Sequence, residues 1–482
     1  MLFNVYFHFK ITLINNLFRS LIFFFIDYII KYLIKKIVLI LLFFNNLYPE
    51  SIDLSQDWNM NTDFSKSEEL ESLIEDRIAT LPNTLGFIVV HKGEIVSENY
   101  YNSNESNSIN VWSVTKSFIS TLIGQAVDMG MLYDPDSSAS FFFPDISESY
   151  LDTITMHDVL SMSSGYVDQF IPSNPFTFFF DPSQWWALNS TETLLSMDHS
   201  EPGSFFYNNS ACHLNSHALY YGTGLTPSTF ADIYLFPHLG INNPNWESGY
   251  LDINDGSAML SLTLREMVKL GQLYLQNGYS GDNQILSSDW ISRATTSQVT
   301  TGETEEYGSL SHYGYLWWLP NEEGSFYAAQ GLGGQIIAVF PEYDLVVGAQ
   351  SNAYGDDIFL HSRLLNYRIG DEIAPLFEDF VSNDQFILPP NEFSLNQNYP
   401  NPFNPSTTFS YELPEASIVK INVYDLMGRI VKSLVNSSMA AGYHLSKWDA
   451  TNDIGEVVSA GMYIYTIQAG EYRATKKMVL LK

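Results

Sequence analysis

The spacing of apolar residues changes once along this chain, and the change limits the folds that are open to it. Up to about residue 372, segments of helical period alternate with short strand-like runs, whereas beyond a stretch rich in proline and asparagine a period of two prevails. Strand-like runs lie at both ends of the first part, which predicts that they share one sheet in an α/β domain. We therefore expect a domain at 58–372, a linker at 373–392 and a small all-β sandwich at 393–482.

The acidic composition of the chain limits the classes of molecule that it can bind. Lys and Arg together number 22 against 54 for Asp and Glu, which gives a formal net charge of -32. We expect no nucleic acid partner, because phosphate binding needs a basic surface. The single cysteine, Cys212, rules out an internal disulfide, and we expect it to be a small buried hydrophobic residue rather than a catalytic thiol.

The first 49 residues differ from the rest, because two apolar runs, "LIFFFIDYII" and "IVLILLFF", flank the basic stretch "KYLIKK". A spanning helix needs about 20 apolar residues, and four charged residues interrupt this region: Asp27, Lys31, Lys35 and Lys36. The segment "IKKIVLILLFFNN" has the cationic pair, apolar run and polar end of a signal peptide, with an expected start codon near Ile34. We expect 1–49 to be a signal peptide or hydrophobic N-terminal segment; the alternative is an uncleaved membrane anchor.

A serine three residues before a lysine occurs twice, as Ser113 with Lys116 and as Ser417 with Lys420. The second pair lies in the alternating C-terminal segment, where residues i and i+3 of a strand point to opposite faces. The first pair begins "SVTKSFISTLIGQAVDMGML", an apolar segment of helical period that Gly130 closes. Residues i and i+3 of a helix share a face, so this pair can bring an amine within reach of a hydroxyl.

A serine and a lysine on one helical face suit nucleophilic catalysis. A serine hydroxyl is a poor nucleophile until a base takes its proton, and a lysine can be that base when burial disfavours its charged form. The apolar residues of "FISTLI" would surround Lys116. The start of a helix also stabilises a developing oxyanion, so the backbone N–H of Ser113 is a candidate donor to it.

Further motifs follow in order: "ITMHDVLSMSSGY", "PGSFFYNNS", "GSAMLSLTLREMVKLGQLYLQNG", "YGYLWWL" and "GLGGQIIAVFPEYDLVV". With "SVTKS", this order resembles the serine beta-lactamase-like hydrolases over roughly Glu69 to Asn352. That family holds class C beta-lactamases, DD-peptidases, esterases and 6-aminohexanoate-dimer (nylon-oligomer) hydrolases, and "LSMSSG", "YGYLWW" and "GGQ" are most similar to its esterase and nylon-oligomer branch. The resemblance implies an antiparallel sheet flanked by helices, plus an all-helical region.

The segment "PGSFFYNNS" brings two site residues from the resemblance. Tyr207 matches the family's second proton carrier, and its phenol would pass the serine proton to the leaving group. Asn209 would hydrogen-bond the carbonyl of a substrate ester or amide. The alternative is a structural tyrosine followed by an asparagine that caps a helix.

The third family motif is altered in this chain. Where the resemblance places a Lys or His, a variable residue and a glycine, the sequence has Ala329, Gln330 and Gly331. The missing cation counts against a beta-lactamase or a peptidase that grips a substrate carboxylate. Gly331 would let the strand approach the substrate closely, and the backbone N–H near Leu332 would complete the oxyanion hole. Gln330, Gly331 and Leu332 are the expected substrate-binding residues here.

Four aromatic residues are candidates for an acyl-binding pocket, although most such residues are plain core: Tyr166, Trp185, Trp186 and Trp317. His213 and His217 have the i, i+4 spacing of some metal ligands, but no Glu lies between them in the H-E-x-x-H pattern, so we expect no metal. The sequence has no G-x-S-x-G elbow and no phosphate-binding glycine loop, and no cofactor is expected.

The C-terminal module resembles the C-terminal sorting domain of type IX secretion over about Phe393 to Lys482. The segments that carry the resemblance are "NQNYPNPFNPSTTFSYELPE", "VYDLMGRIV", "GYHLSKWDATN", "SAGMYIYTIQAG" and "KKMVLLK". It implies export through the periplasm to the cell surface or the medium, with the type IX secretion machinery as partner. It implies no catalysis by this module.

Together these residues predict an exported serine hydrolase that forms an acyl-enzyme on Ser113, with Lys116 and Tyr207 as proton carriers. The expected substrate is a carboxylic ester or a small amide. A beta-lactamase or a D-Ala-D-Ala carboxypeptidase is the alternative within the same mechanism. A penicillin-binding-like module without turnover is the alternative from another class.

Overall fold

The structure is a computed structural model that describes residues 51–481 apart from these positions: 168–188, 303–309, 321–324, 381–392, 396–397, 399–400, 404, 415, 440–441 and 471. The expectations for 1–49, for 381–392 of the linker, and for Trp185 and Trp186 lie outside the described residues. Within the described residues, no helix is long and apolar enough to span a bilayer.

One large sheet organises the first domain. Its strands are β1 (Thr84–His91), β2 (Glu94–Tyr100), β7 (Val299–Thr300), β8 (His312–Tyr313), β9 (Trp318–Leu319), β10 (Tyr327–Gly331), β11 (Gln335–Phe340) and β12 (Leu345–Ser351). Across the described residues they form an eight-stranded antiparallel sheet in the order β2-β1-β12-β11-β10-β9-β8-β7. β1 from the start of the domain pairs with β12 from its end, so the prediction that these runs share one sheet is confirmed.

Helices pack on both faces of the sheet. The described helices of the first domain are α1 (Ser67–Leu73), α2 (Thr115–Asp128), α3 (Met156–Leu160), α4 (Thr191–Leu195), α5 (Asn209–Thr223), α6 (Pro227–Tyr234), α7 (Phe236–Leu239), α8 (Leu264–Leu275), α9 (Ser288–Ala294) and α10 (Ile358–Tyr367). α2 and α8 share a core with one face, and α1 and α10 share a core with the other. Because both faces are covered, every residue of β12 is buried, which explains its unbroken apolar run.

α2 runs through the interior of the domain. All of its residues from Thr115 to Ala126 are buried, which is the pattern of a helix surrounded by protein. Beside its start, the short strands β3 (Ile109–Asn110) and β4 (Ser261–Leu262) form a separate antiparallel pair. The residues that lead into α2 are therefore held by the segment that follows residue 260. A further short pair joins β5 (Tyr279–Ser280) to β6 (Asn283–Gln284).

The first domain continues beyond residue 372. A π-helical turn at Arg368–Ile373 and a 3-10 segment at Ala374–Phe380 follow α10. Ile373, Ala374 and Phe377 are buried in the core beneath the second face of the sheet. Within the segment expected to be the linker, residues 373–380 therefore contribute buried apolar side chains to the core of the first domain.

The C-terminal module is a β-sandwich, as predicted. Its strands are β13 (Ser394–Leu395), β14 (Thr407–Leu413), β15 (Ser417–Tyr424), β16 (Ile430–Met439), β17 (Gly442–Trp448), β18 (Gly461–Ala469) and β19 (Tyr472–Leu480). The described part shows sheets of order β13-β14-β17 and β16-β15-β18-β19. Val419, Ile421 and Val423 point into the sandwich core while Lys420 is exposed, so the second Ser-x-x-Lys lies on a strand, as expected.

A buried histidine makes the stability of the first domain depend on pH. The ring of His91, at the end of β1, packs against Phe64, Phe377 and Phe380. Burial, and to a lesser degree the charge of Lys92, lowers the pKa of His91 to about 4. Its pKa in the unfolded chain is about 6.5, so between these two values the unfolded chain binds the extra proton. The stabilisation is complete above pH 6.5 and is lost as the pH falls towards 4.

We expect His91→Phe to remove this contribution while keeping the aromatic packing. Between pH 7.5 and pH 5, the free energy of unfolding of the wild type should fall by about 2 kcal/mol more than that of the variant. Urea unfolding of both proteins at the two pH values measures the difference. Equal losses in the two proteins would mean that His91 titrates normally in the folded state.

Candidate active site

Ser113 and Lys116 lie together at the start of the interior helix. Ser113 belongs to a 3-10 turn, Trp112–Val114, that leads directly into α2, and Lys116 is in the first turn of α2. The Lys116 Nζ is 3.0 Å from the Ser113 Oγ. Lys116 is only 1% exposed, whereas Ser113 is half-buried. The amine is therefore inside the protein, whereas Ser113 retains some exposed surface.

Three partners surround the Lys116 amine. Besides the Ser113 Oγ, its Nζ is 2.8 Å from the Asn209 Oδ1 and 2.8 Å from the Ser257 carbonyl oxygen. Both of these oxygens can only accept hydrogen bonds, whereas a hydroxyl can accept or donate. A charged amine would donate to all three partners. A neutral amine would donate to the two fixed acceptors and turn its lone pair towards the Ser113 hydroxyl, ready to take its proton.

Tyr207 lies over the same amine. The Lys116 Nζ is 4.9 Å from the centroid of the Tyr207 ring. That ring stacks on Trp318 at 5.6 Å between centroids, and Phe205 and Tyr313 pack beside them. The aromatic neighbours fix the plane of the phenol. The structure thus brings together Ser113, Lys116, Tyr207 and Asn209, four residues that the sequence singled out.

Asn208 sets the positions of the two residues beside it. It is the N-cap of α5: its Oδ1 accepts from the Ala211 backbone N–H at 2.8 Å, and its Nδ2 donates to the Tyr166 carbonyl at 2.8 Å. This fixes Tyr207 just before the helix and Asn209 at its first position. Asn208 was not among the residues predicted for the site, although a capping asparagine was the alternative considered for this segment.

Asn110 supports the backbone just before Ser113. Trp112 has a φ of +51°, in the left-handed region that non-glycine residues adopt at a cost of about 1–3 kcal/mol. Its N–H donates to the Asn110 Oδ1 at 2.8 Å, and the same oxygen accepts from the Met259 N–H at 3.2 Å. Asn110 was not identified from the sequence, because nothing in "SINVWS" reveals where the left-handed residue lies.

Gly331 brings the end of β10 against the segment that contains Ser113. A Cβ at this position would overlap the Val111 carbonyl oxygen and lie 3.1 Å from the Ser113 nitrogen. A glycine is therefore required for the strand to lie this close. Leu332, the next residue, packs in a small apolar cluster with Trp112.

Other predicted site residues lie away from this group. Successive residues of a strand face opposite sides: Ala329 is in the core shared with α2, whereas the Gln330 Nε2 donates to the Asn366 Oδ1 of α10 at 2.9 Å. The Gln330 side chain is therefore engaged with α10 on the face of the sheet opposite to Ala329. Tyr166 is 1% exposed, and its hydroxyl donates to the Leu195 carbonyl at 3.2 Å.

Two further candidates are also interior groups. Trp317 is fully buried against Tyr274 and Tyr327, so it is a core residue. Burial raises the pKa of the Cys212 thiol to about 12, which keeps it uncharged near neutral pH. Among the described residues, no group of three or more His, Cys, Asp and Glu side chains is arranged to hold a metal ion.

Comparison with known families agrees with this geometry. Residues 74–365, more than half of the chain, match the family described as Beta-lactamase. The chain belongs to the beta-lactamase family. Residues 397–481 match a second family, the Secretion system C-terminal sorting domain, so the β-sandwich is a sorting domain appended to the beta-lactamase-family domain.

Solved structures show the same fold. A protein assigned as a 6-aminohexanoate-dimer hydrolase from Bacillus anthracis has 22% identity and a TM-score of 0.51, over 68% of this chain and 90% of that one. A protein assigned as a beta-lactamase from Bacteroides dorei has 18% identity and a TM-score of 0.53, over 63% and 97%. The octameric penicillin-binding protein homologue from Pyrococcus abyssi has 16% identity and a TM-score of 0.51, over 85% and 99%. At these identities the similarity concerns the fold.

We expect Gly331→Ala to slow the reaction of Ser113 with a fluorophosphonate by about 100-fold, because a displacement of about 1 Å at a reacting group costs that much. The added methyl group would meet the Val111 backbone, which cannot yield as a flexible side chain can. Time-dependent labelling measures the rate. The control is Gly370→Ala, whose methyl group meets open space and should leave the rate unchanged. A wild-type rate in Gly331→Ala would show that the close approach of β10 is not needed.

Proposed function

We propose that this protein is an exported serine hydrolase that forms an acyl-enzyme on Ser113 and acts on carboxylic esters or small amides. One observation carries the proposal: the buried Lys116 amine has two partners that only accept hydrogen bonds and a third, the Ser113 hydroxyl, that can also donate one. A lysine held in this way can take the serine proton without moving. Membership of the beta-lactamase family supports a hydrolase.

In the first half-reaction, the Ser113 Oγ attacks the substrate carbonyl carbon while its proton passes to the Lys116 Nζ. The π electrons of the carbonyl become negative charge on its oxygen, for which the backbone N–H groups of Ser113 and Leu332 are the proposed donors. Collapse of this intermediate breaks the bond to the alcohol or amine. The leaving group takes a proton from the Tyr207 phenol, which regains one from Lys116.

In the second half-reaction, water attacks the acyl carbon and gives a proton to the same pair of groups. Ser113 leaves, recovers its proton, and releases the carboxylic acid product. The three side chains that would touch substrate, those of Ser113, Tyr207 and Asn209, are half-buried, whereas Lys116 is 1% exposed. A proton carrier shielded from bulk water is protected from competing exchange with solvent.

The residue at position 329 favours substrates without a carboxylate near the scissile bond. Ala329 is 1% exposed and lies two residues before Gly331 on β10, on the side of the sheet that faces α2. It replaces the Lys or His that would pair with a substrate carboxylate. Esters and small amides need no such pairing. The name of the Bacillus anthracis relative, a 6-aminohexanoate-dimer hydrolase, adds support for small amides.

The sorting domain supports a location outside the cell. We infer that residues 397–481 engage the type IX secretion machinery and that the protein reaches the cell surface or the medium by way of the periplasm. The hydrophobic segment at 1–49 would act as the signal for the first membrane. Detection of the mature chain in washed-cell and medium fractions would test this route.

Two buried lysines allow a matched test of the mechanism. Lys116→Met should lower turnover of p-nitrophenyl esters by about 10³-fold or more, because members of a nucleophile–base unit lose most of the rate when removed singly. Lys269 is also buried, with its Nζ 3.1 Å from the Gln56 carbonyl oxygen, and Lys269→Met should keep turnover near the wild-type value. Equal losses in both variants would point to a general effect of removing a buried lysine.

A fluorophosphonate and a fluorescent penicillin, followed by mass mapping of the adduct, test the nucleophile. We expect the fluorophosphonate adduct on Ser113 and none in Ser113→Ala, while Ser117→Ala on the same helix should label normally. Faster turnover of p-nitrophenyl esters than of nitrocefin is the expected order. Faster turnover of nitrocefin would favour a beta-lactamase. Absence of any adduct on Ser113 would favour a binding module without turnover.

A further inference from the structure

Two buried histidines lie beside the site, and the mechanism above does not use them. His213 and His217 are one turn apart on α5 and have no exposed surface. The same helix begins with Asn209, which binds the Lys116 amine. Buried polar side chains carry a desolvation cost that hydrogen bonds must offset, so the partners of these imidazoles indicate what they hold in place.

Hydrogen-bond directions fix the protonation of both rings. The Gly256 backbone N–H can only donate, and it donates to the His213 Nδ1 at 3.1 Å. In a neutral imidazole the other nitrogen then carries the proton, so the His213 Nε2–H donates to the His217 Nε2 at 3.1 Å. The His217 proton is therefore on Nδ1 and is donated to the Thr191 Oγ1 at 2.7 Å.

A positive charge on either imidazole ring would break this chain of hydrogen bonds from Gly256 through His213 and His217 to Thr191. A second proton on His213 would face the Gly256 N–H, and one on His217 would face the His213 N–H. Burial lowers the pKa of His213 to about 3 and holds the pKa of His217 well below its usual value. Both rings are therefore neutral near neutral pH, and the direction of every hydrogen bond in the chain is set.

The turn that receives this chain also binds the catalytic lysine. The Asp255 Oδ1 accepts from the Ser257 N–H at 2.7 Å and from the Ala258 N–H at 3.3 Å, which closes the turn on one side. On its other side, a Cβ on Gly256 would overlap the Ser216 hydroxyl of α5. The turn is thus in direct contact with the helix. The carbonyl oxygen of Ser257, one residue after Gly256, accepts from the Lys116 Nζ at 2.8 Å.

We propose that His213, supported by His217 and Thr191, is a positioning residue that holds Gly256 against α5 and so keeps the Ser257 carbonyl on the Lys116 amine. This inference rests on the proposed hydrolase function. Both fixed acceptors of Lys116 then depend on α5, one directly through Asn209 and the other through the histidine chain. Release of the turn removes one of the two fixed acceptors of the amine, which can then rotate away from its position on the Ser113 hydroxyl.

Two substitutions of His213 separate positioning from packing. The amide oxygen of Asn can replace the Nδ1 as acceptor for the Gly256 N–H, whereas the amide of Gln reaches the Nε2 position and contacts His217 instead. Each variant therefore keeps one of the two hydrogen bonds that His213 makes, either the one with Gly256 or the one with His217. We expect His213→Gln to lower kcat for a p-nitrophenyl ester by about 10–100-fold with little change in KM, and His213→Asn to stay within about 3-fold of the wild type.

Two substitutions at the contact between the turn and α5 test the position of the turn without changing a histidine. Gly256→Ala should push the turn away from the Ser216 hydroxyl and lower kcat by about 10–100-fold. Ser216→Ala removes that hydroxyl, so Gly256→Ala with Ser216→Ala should recover to within about 3-fold of the wild type, since the two substitutions act on one contact. Ser216→Ala alone is the control and should be fully active.

The results with the His213, Gly256 and Ser216 variants can each overturn the proposal. Wild-type kcat in a folded His213→Gln variant that melts at a lower temperature would mean that the histidines only pack, and would overturn it. If the His213 variants do not fold, failure of Ser216→Ala to rescue Gly256→Ala would overturn it. If the wild type neither labels nor turns over ester, the proposed function fails. In that case, crystal structures of the variants test the positioning role by the distance from the Lys116 Nζ to the Ser257 oxygen. A distance that is longer in Gly256→Ala and restored in the double variant supports the proposal. An unchanged distance overturns it.

Discussion

The hydrogen bonds of one buried amine hold this site together. An ammonium or amine removed from water costs several kcal/mol unless its hydrogen bonds are satisfied inside the protein. Lys116 finds its partners on three separate pieces of chain: the turn before α2, the first residue of α5, and the turn at residues 255–258. If one of these three segments moves relative to the others, the amine loses a hydrogen bond. The same requirement that makes the fold specific at this point therefore also fixes the distance between the Lys116 Nζ and the Ser113 Oγ.

Close approach of backbone is the second requirement, and two small positions meet it. Gly331 lets β10 lie against the chain that leads to Ser113, and Gly256 lets the lysine-binding turn lie against α5. At Gly331 a side chain would meet the Val111 backbone, and at Gly256 it would meet the Ser216 hydroxyl of α5. The site is thus built from backbone carbonyls and N–H groups as much as from side chains. Such groups keep their positions well because regular elements on each side hold them.

Much of the site follows from the sequence, and the missing parts have a physical reason. The helical period of "SVTKSFISTLIGQ" predicted that Ser113 and Lys116 share a face, and the structure places them 3.0 Å apart. The contribution of Ser257 could not be predicted, because it comes through a carbonyl that every residue has. Asn110 was missed because the left-handed φ of Trp112 is a tertiary effect. The orientation of Gln330 could have been predicted from the sequence. Successive residues of a strand face opposite sides, so if Gly331 faces Ser113, the Gln330 side chain lies on the other face of the sheet.

The number of fixed acceptors around Lys116 decides how many of its N–H bonds have a set direction. With three carbonyl or amide oxygens, all three amine positions would have to be donors, and the lysine would remain a charged structural group. With one, the amine would rotate and its lone pair would have no fixed direction. Two acceptors leave one position, and that position lies on a hydroxyl able to give up its proton. The Ser417 and Lys420 pair shows the contrast, since the same residue spacing on an exposed strand supplies neither burial nor acceptors. The residue pattern alone therefore does not predict a nucleophile; under the proposed mechanism, Ser113 becomes one because the fold surrounds Lys116 with fixed acceptors.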